Sequence, residues 1–298
     1  MLINENNLDL VFKAFNSVYS DAYLEADTHW DKIAMTIPSS AAEEQYGWIG
    51  QFPHLREWIG PRVVHAFKAH GFTIQNKRFE STLAVPRTAI ADDRFGVFKP
   101  AFSEMGRVAK THPEELVMGL LKSGFETACF DGQNFFDADH PVTDKNGDVA
   151  TVSNMQAGSG PAWYLLDTSR GVRPIIFQER EAYKFTAMTR DGDYNVFMHD
   201  EYMYGVQARV NAGFGLWQLA FGSKADLTAA NYAAARASMM DFRADGGRIL
   251  GVSPKMLVVP PSLEEAALHL INTDTNDGGG SNPWRGTVEV VVSPYIAD

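Results

Sequence analysis

The residues best suited to chemistry lie in residues 128–142, a stretch that is rich in carboxylates and contains one imidazole. Asp131, Asp137, Asp139 and His140 are all of types that bind metal ions, and the last three fall within four positions. Such a cluster could hold a divalent cation if the chain folded back on itself. Spacing alone does not bring the four side chains together, so we expect no metal site and no cofactor.

The polar run that follows, residues 144–148, resembles the beginning of a calcium-binding loop. In an EF-hand the twelfth loop position is a glutamate that binds the ion through both of its oxygens, but here that position is Met155. Asn146-Gly147 is the dipeptide most typical of a tight β-hairpin turn. The run therefore predicts a hairpin and not an ion site.

Signatures of an enzyme active site are missing from the sequence. There is no GxxxxGK loop for phosphates, no HExxH pair for zinc and no GxSxG nucleophile turn, and Gly213-Phe-Gly215 lacks the third glycine of a dinucleotide site. Cys129 is the only cysteine, which excludes intrachain disulfides and cysteine-rich zinc sites. An enzyme whose site is assembled only in space, using His140 or Cys129, stays open as an alternative.

Composition indicates a globular chain of one large or two ordinary domains, with 298 residues, 45% hydrophobic and 21% charged. The formal net charge of −11 argues against a general nucleic-acid surface, because phosphate neutralisation requires clustered Lys and Arg. Residues 1–7 lack the basic start and apolar core of a secretory signal, and no apolar run is long enough to span a bilayer. We expect a soluble protein that is not exported.

The longest amphipathic helical pattern, residues 98–124, is the spine on which the other elements are predicted to be organised. Pro100 suits the first turn of a helix, whereas Pro113 removes a helix hydrogen bond, so we expect the helix to kink or restart there with Thr111 or His112 as its cap. The two apolar stripes consist of Phe102, Met105, Val108 and Ala109, then Leu116, Val117, Leu120 and Leu121.

The segments before the spine are of two kinds. Residues 1–35 are helical but loosely amphipathic, which fits either an arm on another subunit or a helix docked on its own domain. Residues 46–94 alternate glycine and proline with aromatic and β-branched residues, and residues 72–85 predict a strand pair. A two-stranded hairpin has little core of its own, so this one needs another surface to lie on.

After the spine, residues 163–179 and 195–223 predict a twisted antiparallel sheet, with a turn at residues 211–215. On such a strand the consecutive His199, Asp200 and Glu201 would point to opposite faces, which makes a poor catalytic cluster. The last third alternates helix and strand, and this indicates a small α/β domain. Its predicted elements are a helix at 227–242 capped by Asp226 or Thr228, a strand at 253–260, a helix from the Ser262–Glu265 capping box to about Ile271, and a strand at 286–292.

Several phrases of this chain, taken together and in order, resemble the major head subunit family of Mu-like bacteriophages. They are YGWIGQFPHLREWIG (46–60), EMGRVAKTHPEELVMGLLKSGF (104–125), CFDGQNFFDADHPV (129–142), WYLLDTSRGVRPIIFQER (163–180), GFGLWQLAFGSKADLT (213–228), LVVPPSLEEAAL (257–268) and NPWRGTVEVVV (282–292).

The resemblance implies an α+β fold of the Hong Kong 97 capsid type. The domains would be an N-terminal arm at 1–45, an extended β-hairpin loop at 46–95, a discontinuous peripheral domain with the spine helix and a sheet at 96–225, an axial α/β domain at 226–290, and a C-terminal strand at 291–298. The segments predicted from the residues follow one another in that same order.

The resemblance also implies a structural function. The chain would be a major capsid protein of the virion that assembles, in the bacterial host cytoplasm, into hexamers and pentamers enclosing double-stranded DNA. Scaffold, maturation protease, portal and decoration proteins would be its partners, and no membrane would be involved. Tail and decoration proteins remain alternatives. Large aromatic residues dominate interface energetics, so we expect inter-subunit contacts, or else burial within the subunit, at Trp48, Phe52, Trp58 and Phe67.

Some capsids of this type are crosslinked covalently between lysine and asparagine. Lys68, Asn76 and Lys77 lie in the predicted extended loop. Nothing else in the sequence supports that chemistry, and we expect no crosslink.

Overall fold

A computed structural model describes residues 2–50, 72–275 and 278–297 and has a mixed α+β fold, as predicted. Its helices are α1 Glu5–Glu25, α2 Trp30–Ile33, α3 Arg87–Ala91, α4 Lys99–Ser123, α5 Tyr194–His199, α6 Ala229–Met240 and α7 Glu264–Asn272. Its strands are β1 Ala34–Pro38, β2 Glu43–Tyr46, β3 Phe72–Gln75, β4 Lys77–Pro86, β5 His140–Thr143, β6 Val149–Val152, β7 Met155–Gln156, β8 Trp163–Leu166, β9 Ile175–Met188, β10 Glu201–Phe214, β11 Ala220–Ser223, β12 Met256–Val259 and β13 Glu289–Val292.

Two larger sheets organise the described residues. One has the strand order β1-β9-β10-β4, and its long central pair β9–β10 is antiparallel. The other has the order β13-β12-β8-β11-β7 and receives strands from both the middle and the end of the chain. Because β10 continues to Phe214, the turn predicted at residues 211–215 is wrong.

Helix α4 is continuous through Pro113, so the predicted restart with a cap at Thr111 or His112 is wrong, and the kink stays a prediction. Proline costs a helix about 3 kcal/mol or more through its missing N–H and its ring clash, and packing on several sides outweighs that cost here. The predicted stripes face the core except at Val108, which is 46% exposed. Besides Gly106, Pro113 and Glu114, the buried residues of this helix are the hydrophobic Phe102, Met105, Ala109, Val117, Met118 and Leu121.

Helix α1 lies parallel to α4 within the same subunit. Phe15 stacks on Phe102 with ring centroids 4.1 Å apart, and one turn further along both helices the backbone of Tyr19 passes over Gly106. Phe15 is fully buried there. Of the two sequence-based interpretations of this segment, the structure has the helix docked on its own domain.

The start of α2 is fixed by a carboxylate from α4. Glu114, which is almost fully buried, accepts hydrogen bonds from the backbone N–H groups of His29 and Trp30, both at 2.7 Å. No local pattern in the sequence predicts this contact, because Glu114 is 84 residues or more away from both N–H groups in the chain. The carboxylate satisfies two N–H groups that the helix itself leaves unpaired.

We expect Glu114→Gln to destabilise the subunit by about 1.5 kcal/mol, because two charge-assisted hydrogen bonds become neutral ones. Urea unfolding of the unassembled protein measures the loss. The matched control is Glu115→Gln at the exposed neighbouring position, which we expect to change stability by no more than about 0.5 kcal/mol. Equal effects of the two substitutions would contradict this role of Glu114.

The strands predicted within residues 72–85 exist, but they do not pair with each other. β3 pairs antiparallel with β2, and β4 pairs along its whole length with β10 of the four-stranded sheet. At Asn76 the chain therefore passes from one sheet to another and does not make a hairpin turn. The limits of the extended loop, 46–95, stay a prediction.

The last third alternates helix and strand as predicted, with α6, β12, α7 and β13 in turn. Thr228 is the cap of α6, since its side chain accepts from the N–H of Asn231. The capping box expected at Ser262 does not form, because a short 3-10 turn precedes α7 and Leu263 occupies the cap position. Among residues 2–50, 72–275 and 278–297, no helix is long and apolar enough to cross a bilayer.

Candidate subunit interface

Trp48 is the one predicted contact residue that lies within the described part of the chain. It is half-buried, packs against the main hydrophobic core, and meets the ring of Tyr46 edge-on with centroids 6.4 Å apart. The Tyr46 hydroxyl in turn donates to Gln178 at 2.7 Å. Trp48 is thus anchored on one side and accessible on the other. Phe52, Trp58 and Phe67 lie outside the described residues, and their contacts stay predictions.

A second apolar surface, which the sequence analysis does not predict, lies at the end of β9 and in the segment that connects it to β10. We call it the tip patch, and it consists of Met188, Tyr194, Phe197 and Met198. These side chains are 47%, 69%, 81% and 55% exposed, respectively. Tyr194, Phe197 and Met198 lie three and four positions apart on one short helix, a spacing that puts them on one face.

The sequence pattern does not predict the tip patch, because it assigns residues 195–199 to a strand. The structure forms α5 there, and Asp200 ends it in the left-handed conformation with φ of 54°. An Asp-Gly-Asp turn directly before this helix was the available signal, since aspartate favours helix starts. His199 therefore ends a helix and Glu201 begins β10, so the strand assumed for His199, Asp200 and Glu201 is wrong for the first two.

Charged groups of both signs surround the tip patch. Arg87 lies 3.4 Å from Asp191 and 4.0 Å from Asp200, and its backbone N–H donates to the carbonyl of Asp200. These exposed ion pairs contribute little to stability. The backbone hydrogen bond from Arg87 to Asp200 joins the end of α5 to the start of α3.

Of the four residues considered as metal ligands in the sequence, the fold brings together only Asp131 and His140, and it adds Cys129. His140 Nδ1 lies 2.7 Å from Asp131 Oδ2, and the Cys129 thiol donates to Asp131 Oδ1 at 3.1 Å. His140 is fully buried and stacks on Trp217 at 4.0 Å. Asp137 instead accepts from the backbone N–H groups of residues 134 and 138, and residue 139 is exposed.

The chemistry of this cluster is not that of a nucleophile and its base. Burial, reinforced by the adjacent Asp131, raises the pKa of the Cys129 thiol, so the thiolate is disfavoured at neutral pH. Burial opposes ionisation of Asp131, but the hydrogen bond from His140 and its charge hold the pKa of that carboxyl below the usual value. Cys129 donates to Asp131 and not to His140, so the described residues offer no Cys–His pair.

The polar run at residues 144–148 is a hairpin turn, as predicted. β5 pairs with β6 across it, and Gly147 adopts the positive φ of 93° that favours glycine. Asp144 Oδ1 accepts from the backbone N–H groups of Asn146 and Asp148, at 2.7 and 2.9 Å. These hydrogen bonds hold the pKa of Asp144 below its usual value. The Asp144 carboxylate therefore accepts hydrogen bonds from the backbone of its own loop.

Asn76, a residue considered for crosslinking, is engaged within the subunit. Its amide nitrogen donates to Ser39 Oγ at 2.8 Å and to the carbonyl of Ala41 at 2.9 Å. Lys68 lies outside the described residues. The absence of a crosslink stays a prediction.

Comparison with known proteins gives consistent matches over almost the whole chain. Residues 8–296 match the model of the family described as Mu-like prophage major head subunit gpT. The chain is 40% identical to the major capsid protein of Escherichia phage Mu, covering 99% of this chain and 100% of that protein. It is 42% identical to the Mu-like prophage FluMu major head subunit of Haemophilus influenzae, covering 96% of each.

Solved structures give similar matches. A chain of the bacteriophage JBD30 procapsid superposes with a TM-score of 0.88 at 45% identity, covering 98% of this chain and 100% of that one. A chain of the JBD30 capsid gives a TM-score of 0.78 at 33% identity, with 93% and 94% covered.

Proposed function

Because this chain belongs to the Mu-like prophage major head subunit family and is a capsid protein, not an enzyme, we propose that it assembles into hexamers and pentamers that close an icosahedral phage head around double-stranded DNA. The observation that carries the proposal is the match to a procapsid chain, with a TM-score of 0.88 over 98% of the residues. The fold is accordingly of the Hong Kong 97 capsid type.

We propose that the two larger sheets belong to two different domains. The four-stranded sheet with α4 corresponds to the peripheral domain, on which α1 of the proposed arm packs, and the five-stranded sheet with α6 and α7 corresponds to the axial domain. β8 and β11 join the second sheet although they precede residue 226, which favours a discontinuous peripheral domain. The boundaries at 45, 95, 225 and 290 are proposals.

Subunit contacts are proposed at three places on the chain. Trp48 offers a partly accessible ring, Phe52, Trp58 and Phe67 belong to the predicted extended loop, and Phe197 is the most exposed residue of the tip patch. Burying such surfaces stabilises by roughly 25 cal/mol per Å² before the costs of association. Repeated around local axes, contacts between unlike surfaces close rings, and rings close a shell.

Partners beyond other copies of the chain are also proposed. A related JBD30 capsid is decorated with minor capsid protein trimers; its chain is 33% identical, covers 93% of this one and gives a TM-score of 0.76. We propose a decoration protein here as well, together with scaffold, maturation protease and portal during assembly in the host cytoplasm. A net charge of −11 suits containment of DNA without tight binding.

Electron microscopy of the protein coexpressed with its scaffold tests the proposal, with sedimentation of the protein alone in parallel. We expect closed shells of uniform diameter in the first preparation. Tubes, small rings or a persistent monomer in the presence of scaffold would contradict a shell subunit. Tubes and rings would instead favour a tail or decoration protein.

A further inference from the structure

We propose that Cys129, Asp131 and His140 form a binding site for one divalent transition-metal ion of the zinc class. The inference is independent of the proposed shell geometry. Thiolate sulfur, imidazole nitrogen and carboxylate oxygen are the three ligand types that zinc takes in proteins. Here the ligand atoms Sγ, Nδ1 and a carboxylate oxygen all lie within 4.8 Å of one another, on residues that are buried or nearly so.

The distances suit a tetrahedral ion after a small adjustment. Bonds of about 2.0–2.3 Å place neighbouring ligand atoms roughly 3.3–3.8 Å apart. The separations are 2.7 Å from His140 Nδ1 to Asp131 Oδ2 and 3.1 Å from Cys129 Sγ to Asp131 Oδ1. Both are shorter than the requirement, so the three side chains would move apart by less than about 1 Å to admit an ion. Binding would displace the proton of the Cys129 thiol to solvent, and water would complete the coordination.

The far side of His140 has the arrangement expected of a metal ligand. Its Nε2 atom lies 3.2 Å from Asn154 Oδ1. The orientation of the Asn154 amide is fixed, because its nitrogen donates to the carbonyl of Phe135 at 2.8 Å and its oxygen accepts from the N–H of Asp137 at 2.9 Å. Nε2 therefore faces an acceptor that can hold the ring proton once the Nδ1 proton, which Asp131 accepts in the metal-free protein, is released to solvent on metal binding.

The position of the cluster points to a structural role for the ion. Cys129 and His140 bracket a segment that lacks regular helices and strands, and backbone hydrogen bonds and the buried rings of Phe135 and Phe136 attach this segment to the core. A shared ion would join the two ends of this segment beneath Trp217 and would add to stability, since metal binding to the folded state is folding free energy. The Asp131 side chain, 11% exposed, gives the ion access from solvent.

Cobalt titration of the full-length protein, freed of metal by a chelator, tests the proposal directly. We expect one Co²⁺ per chain with a thiolate-to-cobalt absorption band, displaced by Zn²⁺, and a melting temperature that Zn²⁺ raises by roughly 5 °C. Cys129→Ser should abolish the band and the shift, whereas Asp139→Asn, at an exposed carboxylate beside the cluster, should preserve both.

The band is measured on the unsubstituted protein, so a misfolded variant cannot hide the result. No thiolate band at saturating Co²⁺ would overturn the proposal, and so would a bound-metal content that Cys129→Ser leaves unchanged. Shell formation is scored separately by microscopy. A cluster that binds no metal therefore leaves the capsid proposal standing, and failure to form shells leaves the metal site testable.

Discussion

Replacing Gly106 with alanine is expected to destabilise the folded subunit by about 3 kcal/mol, the upper end of what overpacking costs. A Cβ atom at this position would lie well inside contact distance of the carbonyl oxygen of Tyr19, and 3.0 and 3.2 Å from its carbonyl carbon and Cα. All three are backbone atoms, which cannot turn aside as a flexible side chain would. Helix α1 must therefore move away from α4. Urea unfolding of the unassembled subunit measures the loss.

The same helix supplies the matched control. Gly119 has open space around its missing Cβ and is exposed. Alanine there should stabilise the subunit by about 0.5–1 kcal/mol, because glycine is a poor helix former. Alanine substitutions at two glycines of one helix are thus expected to change the free energy of unfolding in opposite directions. A stability gain from Gly106→Ala would contradict the close packing of α1 on α4.

The Gly106 result bears on how the N-terminal segment contributes to the subunit. Phe15 is fully buried against Phe102 and also meets the ring of Tyr204 edge-on at 5.1 Å. These contacts place α1 in the core formed with α4 and the four-stranded sheet. We therefore expect a loosened α1 to lower the stability of the whole subunit, and not merely to free an arm.

Local patterns in the sequence are sufficient to predict the structure where residues close together in the chain determine it. The Asn146-Gly147 turn joins β5 and β6 as predicted, and Thr228 caps α6. Both depend on hydrogen bonds and backbone angles within a few residues. The amphipathic stripes of α4 were also placed correctly, apart from Val108.

The errors arose where distant residues decide the outcome. Pro113 does not break α4, because tertiary packing outweighs its local cost. β3 and β4 are adjacent in sequence, but β3 pairs with β2 and β4 pairs with β10. The alternation of apolar and polar residues does not show which strands pair. Of the buried polar groups, Glu114 and Asn154 find their partners only after folding.

The cluster around Cys129 shows the same limit for a site. The sequence offered four candidate ligands, of which the fold joins only Asp131 and His140. Cys129 was considered alone, because nothing in the spacing indicates that an irregular segment returns to the same point. Asp139, next to His140 in sequence, is exposed. To identify a ligand set of this kind, one must know the path of the irregular segment in the folded chain.

Replacing Phe197 with aspartate is expected to reduce the yield of closed shells at least about tenfold while leaving the subunit itself intact. The side chain is 81% exposed, so little packing within the subunit is lost, and exposed substitutions usually stay within about 0.5 kcal/mol. If the tip patch is buried between subunits, a charge there forfeits a contact of about 2 kcal/mol, and each 1.4 kcal/mol is about tenfold. Urea unfolding and shell counts by microscopy separate the two effects.

Phe197→Leu is the control for this substitution, since it keeps an apolar side chain at the same exposed position. We expect the leucine variant to form shells with a yield within about threefold of the unsubstituted protein, because part of the buried area is retained. Normal shells from Phe197→Asp would remove the tip patch from the proposed contacts and leave Trp48 and the loop aromatic residues as the surfaces to test. Loss of shells together with loss of subunit stability would show that Phe197 supports the fold of α5, contrary to its exposure.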